Sequence, residues 1–67
     1  MEFKAIECKT PHEAIELAEA SDANAIRMDG RNLVVSQVET DRLMDAGLPF
    51  AYLADHNGTI VTIPVNE

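Results

Sequence analysis

Phe50-Ala51-Tyr52-Leu53-Ala54-Asp55-His56-Asn57-Gly58-Thr59-Ile60-Val61-Thr62-Ile63-Pro64-Val65 reads as a β-hairpin. Asn57-Gly58 is the favoured pair for a two-residue type I′ turn, in which both positions need φ > 0. With those two as the loop, Ala54 faces Val61, Tyr52 faces Ile63 and Phe50 faces Val65. All six are apolar or aromatic and share one side of the ribbon. A slip by one residue would turn every one of them over, so the register is strongly specified.

Pro64 extends the inference from the hairpin to the sheet. His56 and Thr59 form a hydrogen-bonded pair, and pair types alternate from there. Pro64 therefore falls opposite Ala51 at a non-hydrogen-bonded site, with its nitrogen pointing away from the partner strand. The hairpin loses nothing, but further pairing on the outer side is blocked at that position. The last strand is expected at a sheet edge, at least near its end, where the proline would also discourage sheet-to-sheet association.

Upstream of the hairpin, Leu48-Pro49 re-enters extended structure after a helix expected over Gln37–Ala46, with Gly47 as its C′ residue. Ser36-Gln37-Val38-Glu39 has the spacing of a capping box, with Thr40 as the rival start. Leu43, Met44 and Ala46 are its apolar members. Before it, Ala25–Met28 and Arg31–Val35 flank Asp29-Gly30, a second type I′ pair. That turn sets Ile26 opposite Leu33 and Met28 opposite Arg31, with Arg27 and Asn32 on the other side.

Thr10-Pro11-His12-Glu13 is the strongest local signal in the chain. Thr10 suits an N-cap, Pro11 suits the first helical position, and Glu13 completes the box three residues on. The helix continues to Ala20, with Ala14, Ile15 and Ala18 on one face. Ser21 to Asn24 closes it. Phe3 to Lys9 reads as a first strand, with Phe3 and Ala5 on one side and Ile6 and Cys8 on the other. Apolar residues on both sides suggest an interior strand.

The expected fold is α+β: a small two-layer β-α-β-β-α-β-β domain spanning 1–67, with a mainly antiparallel sheet and both helices on one face. Thr10 to Asn24 is long enough for the first strand–helix–strand unit to be a parallel crossover.

Sixty-seven residues permit one domain and exclude two. A hydrophobic content of 46% suits a folded chain rather than a disordered one. No apolar run approaches the roughly 18 residues of a membrane span. Met1-Glu2-Phe3-Lys4 alternates polar and apolar residues and lacks a signal-peptide core, so a cytoplasmic location is expected. The single cysteine, Cys8, excludes a disulfide within the chain. Twelve acids against five Lys or Arg give a formal charge of −7, which argues against direct nucleic-acid binding. A core of this size is close to the minimum for an unaided domain, which favours a second subunit or a protein partner.

The chemistry-bearing residues are few. Cys8 and His12, at a strand end and a helix start, could pair as nucleophile and base. Against that, Cys8 alternates in phase with Ile6 as a small core residue would. Cys8, His12 and His56 lack metal-ligand spacing, so no metal or other cofactor is expected. No phosphate-binding glycine pattern or hydrolase motif occurs, and Gly30, Gly47 and Gly58 are each explained by a turn or cap.

Two surfaces stand out. Glu13, Glu16, Glu19 and Asp22, with Glu39, Asp41 and Asp45 from the second helix, would form one acidic side if both helices cover the same face. Val34, Leu53 and Ile60 point to the opposite side of the sheet, where they would mark a partner surface. The function expected is a non-enzymatic protein–protein interaction or regulatory domain, with homodimerisation as one route. The alternative is an acidic inhibitor that mimics nucleic-acid phosphate towards a nucleic-acid-binding protein. A small enzyme using Cys8 and His12 ranks last.

Overall fold

The computed structural model describes residues 3–65. The start of the N-terminal alternation, Met1-Glu2, lies outside them. The elements are β1 (Ile6–Cys8), α1 (Pro11–Ser21), β2 (Asn24–Met28), β3 (Arg31–Val35), α2 (Gln37–Asp45), β4 (Phe50–His56) and β5 (Thr59–Val65). The strands form one sheet in the order β1-β3-β2-β4-β5, and every neighbouring pair is antiparallel. The α+β class and the element order are those expected from the sequence.

Both hairpins have the expected registers. Asn57 and Gly58 sit at φ 54° and 82°, Asp29 and Gly30 at 54° and 75°, as type I′ turns require. Ala54 pairs with Val61, Tyr52 with Ile63, Phe50 with Val65, and Pro64 with Ala51. Ile26 pairs with Leu33 and Met28 with Arg31. β5 is an edge strand, as Pro64 indicates. β1 is the other edge, contrary to the interior position expected. The strand is also shorter than the expected Phe3 to Lys9, and the apolar residues in and before it have a different cause. Phe3 packs against the cluster under α2 and Cys8 against the cluster under α1, while Ile6 stays largely exposed.

The helix starts follow their caps. The Glu13 N–H donates to Thr10 Oγ1 at 3.1 Å, and the Glu39 N–H to Ser36 Oγ at 3.3 Å. Ser36, not Thr40, therefore caps α2; Thr40 is fully buried and its hydroxyl donates to the Gln37 carbonyl. Neither capping box closes in full. The Glu13 carboxylate accepts from the Lys9 N–H, and Glu39 turns to Arg42 instead.

The placement of the helices departs from expectation. α1 buries Ala14, Ile15 and Ala18 against Ala25, Val34 and Leu53. α2 buries Leu43 against Ile26, Leu33, Val35 and Phe50. Ala25 and Ile26 are consecutive in one strand, as are Leu33 and Val34 in another, and consecutive strand residues point to opposite sides. The helices therefore cover opposite faces of the sheet.

The reason is topological. β1 and β2 run parallel with β3 between them, and β3 and β4 run parallel with β2 between them. Both crossovers step across the sheet in the same sense, but they begin on antiparallel strands. Two crossovers of one hand must then lie on opposite faces, and parallel connections share a hand almost without exception. Had the second crossover stepped back past β1, the same rule would have put both helices on one side.

Candidate functional site

The two faces are covered unequally. On the α1 side, Val34 and Leu53 are buried and Ile60 is half-buried against the same cluster. These three do not form an exposed partner surface; they are the floor beneath α1. The expectation failed because it left that face without a helix.

The open apolar surface lies on the other face. α2 is a single helix about 10–12 Å across, whereas five strands span roughly 19 Å between their outer axes. Its one fully buried apolar side chain, Leu43, reaches β3, β2 and the start of β4. Beyond that contact the floor continues uncovered. Tyr52 and Ala54 are half-buried, while Val61 is 36% and Ile63 47% exposed. Phe50 anchors this strip from beneath, meeting the Tyr52 ring edge-on at 5.5 Å between centroids. The residues are the inward set of the hairpin register, so the sequence identifies them; what it does not reveal is that α2 stops short of them.

The acidic residues separate in the same way. Glu13, Glu16, Glu19 and Asp22 are exposed on α1, and Asp41 and Asp45 on α2, on the far side of the sheet. Glu39 is buried and pairs with Arg42 Nη1 at 3.1 Å. The single acidic side expected from the sequence is therefore two smaller ones facing away from each other.

Cys8 and His12 do not combine into a site. Cys8 packs on the α1 cluster, while His12 is exposed and faces Glu16 at 3.9 Å. Desolvation, then the nearby Glu13 carboxylate, pushes the Cys8 thiol up from its ordinary pKa. Since the thiolate is the nucleophile, iodoacetamide should alkylate Cys8 at neutral pH more slowly in the folded protein than in the urea-unfolded chain. A faster rate in the folded protein would contradict this environment. No group of three metal-ligating side chains occurs among the described residues.

Asn32 is a polar residue that sequence reading passes over. It is buried on the α1 side, opposite Cys8 and Arg27 in the sheet register, and its Oδ1 finds no hydrogen-bond partner among the described residues. An unpaired buried carbonyl costs about 1–3 kcal/mol. Asn32→Leu, which keeps the shape without the dipole, should raise the urea midpoint by an amount worth about 1 kcal/mol. A lowered midpoint would show that the amide is satisfied in solution.

Two hollows in the surface are shallow and open. One is bounded by Lys4, Ile6, Ser21, Val35, Ser36 and Glu39, another by Arg27, Asp29, Pro49, Phe50, Thr62 and Pro64. Neither gathers converging catalytic groups. No helix among the described residues is long and apolar enough to cross a membrane. Comparison with protein families, characterised proteins and solved structures finds no match to this chain.

Proposed function

We propose that this is a non-enzymatic interaction domain that acts in the cytoplasm through protein–protein contact. The observation that carries this is the uncovered strip of Tyr52, Ala54, Val61 and Ile63 beside α2. Burial of apolar surface is the main driving force for association, and here the strip lies in register on one face of the β4–β5 hairpin. The acidic-inhibitor alternative has less support, because its carboxylates are divided between two opposite sides and present no single phosphate-like track. Chemistry at Cys8 and His12 has less still, because the surroundings of the thiol push its pKa up and the exposed imidazole lies beside Glu16.

The test uses the full chain as bait in lysate of its native source, beside the double variant Val61→Asp, Ile63→Asp. Both positions are exposed on the strand, so circular dichroism should show an intact fold. A protein captured by the wild type and lost with the variant is the expected result. Identical capture by both would remove the strip from the account.

A further inference from the structure

The free edge of β5 carries more information than the strip beside it. β5 has no ionisable residue, in a chain with twelve acids and five Lys or Arg. Exposed edges are ordinarily guarded by charge, by a bulge or by proline. Among the described residues of this edge Pro64 is the one guard, and it stands near one end.

The hairpin register says which backbone groups are free. His56 and Thr59 exchange hydrogen bonds, so Val61, Ile63 and Val65 point their amides inward to β4. Ile60 and Thr62 point theirs outward, and among the described residues nothing pairs with them. Pro64 has no amide to offer. The edge thus presents two donors, two residues apart, each with its own carbonyl beside it.

We propose that β5 pairs with β5 of a second copy, antiparallel about a two-fold axis at Val61, to make one continuous ten-stranded sheet. This rests on the reading of the chain as an interaction domain and names the partner as a second copy. In this register Ile60 of one copy exchanges both hydrogen bonds with Thr62 of the other, and the symmetric exchange repeats across the axis. Every free amide of the edge is used. Pro64 falls opposite Gly58 of the second copy, a turn residue that precedes β5, so the proline lies beyond the end of the paired strands. A register centred on Thr62 would use the same amides, but it would set the Pro64 ring against the Ile60 carbonyl inside the ladder and leave that carbonyl without a donor. Pro64 therefore selects the register rather than forbidding the pairing. At the axis the two Val61 side chains meet as a non-hydrogen-bonded pair, the closest pair type in an antiparallel ladder. The uncharged strand keeps like charges away from the axis of a dimer whose protomers each carry −7.

The experiment is sedimentation velocity of the full chain over a hundredfold range of concentration, with two variants. Thr62→Pro removes an outward amide, and like Pro64 it leaves the bonds to β4 in place. Val61→Cys, made with Cys8→Ser, sets two thiols at the axis, where facing Cα atoms about 4.5 Å apart suit a disulfide. The expected results are a concentration-dependent dimer for the wild type, at least a tenfold weaker one for Thr62→Pro, and a covalent dimer of the Val61→Cys variant on mild oxidation. If Thr62→Pro fails to fold, the cross-link decides. A strict monomer at every concentration overturns the proposal, and so does a dimer that resists Thr62→Pro and gives no cross-link. A wild-type monomer that still captures a partner through Val61 and Ile63 overturns the self-pairing while leaving the interaction domain standing.

Discussion

Leu43→Ala is expected to destabilise the domain by about 2–5 kcal/mol, a large share of the roughly 3–10 kcal/mol available to a chain of this length. Leu43 is the one fully buried apolar side chain of α2, and it is the contact that holds the helix on the sheet. Val38 and Met44 on the same helix are 65% and 43% exposed, so Val38→Ala should change stability by no more than about 0.5 kcal/mol. Urea denaturation followed by circular dichroism measures both. Equal effects from the two substitutions would mean that α2 is seated on a different face.

Phe50→Ala should cost about 3–5 kcal/mol. Phe50 is nearly fully buried, joins β4 to the cluster beneath α2, and supports Tyr52 edge-on. Tyr52 is the only tyrosine and the chain has no tryptophan, so fluorescence anisotropy at 25 °C reports its ring without interference. The variant should show a lower thermal midpoint and, below it, a more mobile tyrosine. An unchanged midpoint would show that the strip is not anchored by this ring.

Local order is written plainly in the residues. Asn57-Gly58 and Asp29-Gly30 each set a register, because left-handed backbone in a two-residue loop leaves one alignment of the flanking apolar pairs. Thr10 and Ser36 each start a helix, because their oxygens satisfy an amide that would otherwise go unpaired. Pro64 marks β5 as the last strand of the chain's own sheet, since its nitrogen offers no donor to a further strand at that position.

The side on which each helix lies is a property of strand order, and strand order depends on contacts distant in sequence. One local signal does bear on it. Leu33-Val34-Val35 is a run of three apolar residues, and all three are buried. A strand covered on one face would alternate, whereas a continuous apolar run needs cover on both. Val34 taken singly looks like an exposed apolar residue; taken with its neighbours it points to a second helix-covered face. The candidate surface was legible to the same degree. The hairpin register identifies Tyr52, Val61 and Ile63 as one apolar row, but their exposure follows from which face α2 occupies and from its seat over β3, β2 and the start of β4.

Amide hydrogen exchange, resolved by residue and repeated at low and high protein concentration, tests the role of β5 most directly. The amides of Val61 and Ile63 point to β4 and should be slow throughout. Those of Ile60 and Thr62 point outward, so they should exchange fast in dilute solution and become protected as concentration rises. Ile60 and Thr62 amides that remain fast at every concentration would contradict the account.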